Sequence, residues 1–174
     1  MRDEAAFVEF AEAVRGRLRR TAYLMCGDWD QASDHVQEGL IRVSVAWPRL
    51  TKAGREYAYA RKAVVSAFLD NARRRSSTEV PIEPDRDLPS GQDVAESVAS
   101  RAALLSALAD LPPRQRACVV LRYFEDLSVA DTAAVLGCSE GTVKSQTSRA
   151  LASLRSTFDA SPIGGLMTEG ATSW

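Results

Sequence analysis

The run Ser128–Arg155, SVADTAAVLGCSEGTVKSQTSRALASLR, decides how the rest of the chain is read. Ser128 is a strong N-cap residue, and Asp131 makes a near capping box in which Glu or Gln would be the better partner. Val129, Ala133 and Leu136 follow at i, i+4 and i+7, one face of a short helix. Gly137 ends that helix, because glycine enters a left-handed C-cap without steric cost. Ser139 caps a second helix that turns Val143, Ala150, Leu151 and Leu154 inward. Its other faces carry Thr142, Lys144, Ser145, Gln146, Ser148 and Arg149. Two helices joined by a short turn make a helix-turn-helix, whose DNA-binding version sets the second helix in the major groove. Lys144 and Arg149 suit phosphate or guanine, Gln146 suits adenine, and the small hydroxyls permit close approach. An ordinary helical hairpin with a solvated polar face fits the same spacing.

The chain has 174 residues, room for one or two small domains, and is 45% hydrophobic and 26% charged, as in globular proteins. No apolar run reaches the length of a membrane span, and the opening MRDEAAFVEF lacks the apolar core of a signal peptide. A cytoplasmic location without membrane insertion is therefore expected. Cys26, Cys118 and Cys138 lack the spacing of a zinc knuckle or a redox pair and read as small buried hydrophobes. His35, the single histidine, cannot build a metal site alone and is expected to be solvated or to face a partner. With no metal-ligand cluster, Gly-rich phosphate loop or nucleophile motif, an enzyme is the weakest class. No metal, cofactor or small-molecule substrate is expected.

Net charge is −1, but it is unevenly spread. Residues 1–75 carry +4, 76–110 carry −5, 111–158 carry +2 and 159–174 carry −2. Two mildly basic blocks flank an acidic connector, and the local field matters more to a polyanion than the total.

In chain order, Phe7, Phe10, Val14, Leu18 and Met25 define an amphipathic helix over 5–25, broken at Gly27 and Asp28. Val36, Leu40, Val43 and Trp47 stripe a second helix from Asp30 to Trp47, and Pro48 ends it or lies just past it. Its opposite face holds Asp34, Gln37, Glu38 and Arg42, with Ile41 and Val45 among them. Charged residues around apolar ones suit a docking face for another protein, or packing on a helix of the same domain. Helix 56–75 interleaves Tyr57, Tyr59 and Phe68 with Arg61, Lys62 and Arg73–Arg75, a pattern suited to unstacked bases. Its basic last turn equally suits the helix dipole. Residues 76–103 read as an acidic, flexible linker rich in Pro and Ser. Helical period returns at Leu104, Leu105, Leu108 and Leu111, and after Pro112–Pro113 a further helix buries Val119, Val120 or Tyr123, and Phe124. The expected fold is all-α: helical domains at 1–75 and 104–158, the second containing the helix-turn-helix, and a disordered tail at 159–174.

Three stretches resemble one family. Asp34-His35-Val36-Gln37-Glu38-Gly39-Leu40-Ile41-Arg42 is similar to its D-L-V-Q-E-x-F-x-R helix. Tyr59-Ala60-Arg61-Lys62 through Asp70-Asn71-Ala72-Arg73-Arg74-Arg75 is similar to its helix for the minus-ten promoter element. Leu111-Pro112-Pro113-Arg114-Gln115-Arg116, Leu121-Arg122-Tyr123 and Leu136 to Ser145 resemble its minus-thirty-five reader. The family is the bacterial sigma-70 RNA polymerase sigma factors, in the small extracytoplasmic function (ECF) subgroup. Several positions depart from the common pattern: His35 for Leu, Ser66 for Asn, Asn71 for His, and Gln146-Thr147 for Arg-Leu. They look like variants of an actinobacterial subgroup.

The resemblance implies that Asp34, Gln37, Glu38, Ile41, Arg42 and Val45 dock on the clamp coiled coil of the largest subunit of core RNA polymerase. It implies a loop, Pro48 to Glu56, that helps trap a flipped minus-ten base, with Lys52 and Arg55 in it. The melted strand would follow Tyr57, Tyr59, Arg61, Lys62, Ser66, Asn71, Arg73, Arg74 and Arg75. The minus-thirty-five duplex would meet Arg114, Arg116, Ser139, Glu140, Thr142, Lys144, Ser145, Gln146, Ser148 and Arg149. Promoter DNA, duplex and melted, is thus an implied partner, and an anti-sigma factor another. The function implied is an alternative sigma factor, not an enzyme. Two other classes compete: a helix-turn-helix activator or repressor that acts without joining polymerase, and a helical adaptor or anti-sigma-type regulator that binds only protein.

Overall fold

Asp28 sets the first corner. Its Oδ1 accepts the Gln31 N–H at 2.7 Å and so caps the second helix, which begins at Trp29, one residue earlier than periodicity alone places it. In the computed structural model, which describes residues 2–50, 54–77 and 95–159, seven helices follow one another. They are α1 (Arg2–Cys26), α2 (Trp29–Leu50), α3 (Glu56–Ser77), α4 (Ala95–Ala109), α5 (Pro113–Val119), α6 (Val129–Leu136) and α7 (Glu140–Asp159). α5 runs on into a π-helical turn, Val120–Phe124. No strand occurs among the described residues.

α1, α2 and α3 form a three-helix unit. Its core joins Leu18 and Ala22 of α1, Val36, Leu40, Val43 and Trp47 of α2, and Ala60 and Val64 of α3. Phe7 meets Trp47 edge-on at 5.4 Å, while Tyr23 stacks on Trp29 at 3.9 Å across the α1–α2 corner. α2 and α3 touch most closely at Gly39. A Cβ there would lie 2.6 Å from Val64 Cγ2 and 3.1 Å from the Val64 nitrogen.

The helix-turn-helix is α6 and α7. Ser128 Oγ accepts the Asp131 N–H at 2.9 Å, and Ser139 Oγ accepts the Thr142 N–H at 3.1 Å. Gly137 takes the left-handed C-cap at φ 61°, and the Cys138 N–H returns to the Ala133 carbonyl. Val143, Thr147, Ala150 and Leu154 form the buried side of α7, and Leu151 is half-buried.

Several expectations need correction. α3 continues to Ser77 and α4 begins at Ala95, so the non-helical stretch is shorter than 76–103. Pro48 lies inside the last turn of α2, which ends two residues later; near the end of a helix the missing N–H costs one bond and disrupts little downstream. Of the alternatives Val120 and Tyr123 it is Val120 that is buried, while Phe124 is exposed rather than a core residue, because the π turn adds a residue per turn and rotates Tyr123 and Phe124 outward. His35 is buried beside Phe68, at 6.1 Å between ring centroids, and not solvated. Burial lowers its pKa, which favours the neutral ring. One core cluster holds Met25, Val65 and Phe68 of the N-terminal unit with Ala117, Cys118, Val120, Leu121, Val135 and Leu136 of the C-terminal one. The stretch 78–94 and the tail 160–174 lie outside the described residues.

Gly39→Ala should lower the unfolding free energy by about 1–3 kcal/mol, the usual range for overpacking. Urea denaturation reads this directly; an unchanged midpoint would mean α2 and α3 do not touch at Gly39.

Candidate functional site

The outer face of α2 presents Asp34, Gln37, Ile41 and Val45 to solvent, with Glu38 and Arg42 half-buried. Val45 is 82% exposed and Ile41 58%, so their apolar surface is not used in packing within this chain. Arg42 Nη2 donates to Glu38 Oε1 at 2.5 Å and lies 3.7 Å from Asp70 Oδ2 on α3. The guanidinium therefore ties the charged rim of this face to the neighbouring helix.

Arg55 and, on α3, Tyr59, Lys62, Ser66 and Arg73 recur at helical spacing along one side; all are exposed except half-buried Ser66. Arg74 and Arg75 are exposed at the C-terminal turn, where the helix dipole favours cations. Asn71 is half-buried. Lys52 lies outside the described residues. Tyr57 and Arg61 turn away from this stripe, toward α1 and the C-terminal unit.

On α7 and the turn before it, Ser139, Glu140, Lys144, Ser145, Ser148 and Arg149 are exposed, and Thr142 and Gln146 half-buried. Lys144, Ser148 and Arg155 line an open groove with Arg122, Tyr123 and Val129. Arg114 is exposed at the start of α5.

Arg116 faces inward instead. Its Nη1 donates to the Met25 carbonyl at 2.5 Å, and its Nη2 to the carbonyls of Ala109 at 2.6 Å and Leu111 at 3.0 Å. Met25 and Ala109 lie in the last turns of α1 and α4, so one guanidinium satisfies orphan carbonyls at two helix ends. Burial lowers its pKa, although a guanidinium stays charged.

The most heavily contacted polar group is Glu125, which no sequence signal marks. Its carboxylate is 1% exposed. Arg17 Nη2 lies 3.1 Å from Oε2, Tyr57 OH 3.3 Å and Arg61 Nη1 3.5 Å, while Thr21 Oγ1 donates to Oε1 at 2.5 Å. All four donors belong to the N-terminal unit, 64 to 108 residues away in sequence. Burial and the adjacent carboxylate push the Tyr57 hydroxyl up to about 12, so it remains a donor at neutral pH. The cysteines do not join any site: burial pushes Cys26 and Cys118 up to about 11, which suppresses thiolate chemistry.

Residues 10–78 match the model for sigma-70 region 2, and residues 101–154 match sigma-70 region 4. The RNA polymerase sigma-E factor of Streptomyces coelicolor is 40% identical over 151 residues, covering 85% of each chain. The chain belongs to the sigma-70 family of RNA polymerase sigma factors. Other relatives of this sigma factor include the Streptomyces avermitilis sigma-E factor, 39% identical over 88% of this chain and 87% of that one. The ECF sigma factor SigM of Mycobacterium tuberculosis is 32% identical over 87% and 76%. These are actinobacterial proteins. A crystal structure of the sigma factor RpoE of Bartonella quintana, in complex with the anti-sigma factor NepR, superposes with a TM-score of 0.69. It is 25% identical and covers 89% of this chain and 98% of that one. Among the described residues no helix is long and apolar enough to cross a membrane.

Removing Arg116 should weaken the fold. Arg116→Ala is expected to lower stability by about 2 kcal/mol or more, since hydrogen bonds to a charged group contribute about 1.5–3 kcal/mol. Arg114→Ala should leave the denaturation midpoint in place. Equal midpoints for the two variants would refute the inward role of Arg116.

Proposed function

We propose that three faces of this chain divide the work of promoter recognition. The protein is an alternative sigma factor: it binds core RNA polymerase, directs it to promoter DNA and helps open the duplex. The observation that carries this is the presence, in order on one chain, of region 2 over 10–78 and region 4 over 101–154. Bond-forming chemistry belongs to the polymerase, and the place of action is the cytoplasm.

The outer face of α2 docks on polymerase. Its exposed Ile41 and Val45 supply the apolar centre, and Asp34, Gln37, Glu38 and Arg42 the polar rim that orients the partner. The stripe on α3 holds the melted minus-ten strand. Extruding a base costs a few kcal/mol, and stacking on an aromatic such as Tyr59 returns about 1–3 kcal/mol per base. The N-terminal turns of α7 enter the major groove of the minus-thirty-five duplex, where Lys144, Gln146 and Arg149 meet bases and phosphates. A partner that holds the chain inactive, of the anti-sigma kind bound to Bartonella RpoE, would cover these same faces.

Run-off transcription with core polymerase and a promoter library is the test. Transcripts that depend on the added protein are expected; tight operator binding without polymerase, and no transcript, would overturn the reading. Glu38→Lys reverses a charge on the docking rim and should weaken polymerase binding, measured by co-sedimentation. Lys144→Ala should weaken the minus-thirty-five footprint while polymerase affinity stays constant. An unaltered footprint would remove Lys144 from the contact.

A further inference from the structure

An open groove of about 380 Å³ runs along one side of α7. Tyr123, Val129 and Leu151 give it an apolar lining, and Arg122, Lys144 and Arg155 stand around it. Among the described residues no carboxylate lines it. The π turn helps to make the groove, because it sends Tyr123 outward, where its side chain is left without a core to join. Arg122 Nη1 donates to the Leu127 carbonyl, which fixes that wall. At the far end of α7, Leu154 and Phe158 pack with Ala107 and Leu108 of α4. The chain therefore leaves α7 at Asp159 from an anchored helix end.

The sequence that follows is ASPIGGLMTEGATSW, residues 160–174. It carries Ile163, Leu166 and Met167 with Glu169 just beyond, and it has no Lys or Arg. Such a segment complements an apolar groove ringed by cations. Pro162 is unsuited to continuing a helix, and Gly164 and Gly165 permit a sharp reversal of direction. Distance allows the return. Leu151 stands about 12 Å back from Asp159 along the axis of α7, at about 1.5 Å per residue. From Asp159 to Leu166 an extended chain spans up to about 25 Å, at about 3.5 Å per residue. Tethering also favours this occupant over a separate partner. A segment on so short a connection meets the groove at an effective concentration on the order of 1 mM, so contacts too weak to hold a free peptide suffice.

We infer that residues 163–169 dock in this groove on their own chain, with Leu166 and Met167 against Tyr123 and Leu151, and Glu169 among Arg122, Lys144 and Arg155. The docked segment covers the apolar surface that the π turn exposes. The inference goes beyond the promoter reading and does not rest on it.

The test compares ¹H–¹⁵N NMR spectra of the full chain with those of a full-length variant carrying Leu166→Asp and Met167→Asp. Both positions lie beyond α7, and thermal melts check that the variant is folded. Amide shifts are expected at Tyr123, Val129, Leu151 and Arg155, with α1 to α3 unaltered. Adding a synthetic peptide of residues 160–174 to the variant should return those amides toward their original positions, half-complete at about 1 mM, the scale of the effective concentration. Glu169→Lys in the full chain should shift Lys144 and Arg155. Shifts confined to the neighbours of the substituted residues, or a peptide that moves no groove amide, overturn the inference. Groove shifts in the unaltered chain that fade on dilution place the segment in a second copy and overturn docking on its own chain.

Discussion

A carboxylate taken out of water must be matched by charge and hydrogen bonds, and Glu125 is the group on which that requirement falls. Meeting it explains the local backbone. The Glu125 N–H bonds to the Val120 carbonyl, five residues back, and Asp126 adopts a left-handed φ of 53° that is uncommon outside glycine. Leu127 N–H then returns to the Leu121 carbonyl. This π turn points Glu125 inward at α1 and α3 and sends Tyr123 and Phe124 outward. One insertion into the helical register thus decides both what is buried at the seam and what is offered at the surface.

The rest of the seam is built around that contact. Arg116 closes the carbonyl ends of α1 and α4, with its guanidinium over the Phe68 ring at 5.9 Å. Met25, Val65 and Phe68 pack on Val120, Leu121, Val135 and Leu136. These interactions favour a closed chain, whereas a sigma factor must span two promoter elements. In the proposed function, polymerase binding would resolve the conflict by supplying contacts available only to an open form, as any partner with differential affinity shifts a two-state equilibrium. The exposed Ile41–Val45 surface, the polymerase-docking face in the proposed function, is not part of the seam and would be open to a partner in the closed chain.

Much of this was legible in the residues. Ser128, Gly137 and Ser139 mark the helix-turn-helix because caps are local, and the stripes of α1 and α2 are legible because period and burial agree within a regular helix. The exposed pair Ile41 and Val45 stood out as apolar residues on a polar face. The seam was not legible. No sequence pattern singles out Arg17 or Glu125, since their pairing spans 108 residues. The Phe124 assignment failed because a 3.6-residue period does not survive a π turn. Arg116 was a DNA contact only as the resemblance implied it; its carbonyl partners lie on α1 and in the α4–α5 connection, far from it in sequence or outside any motif. His35 misled for a related reason, a polar residue on the buried side of an otherwise ordinary stripe.

The central claim is that the free chain is closed at Glu125 and opens on polymerase. The direct measurement is the distance between labels at Glu12 on α1 and Ser156 on α7, both exposed, in the free protein and in holoenzyme on promoter DNA. A single short distance is predicted for the free protein, lengthening by tens of ångströms in the complex toward the roughly 85 Å between the two elements. The same distance distribution in both states would contradict the account.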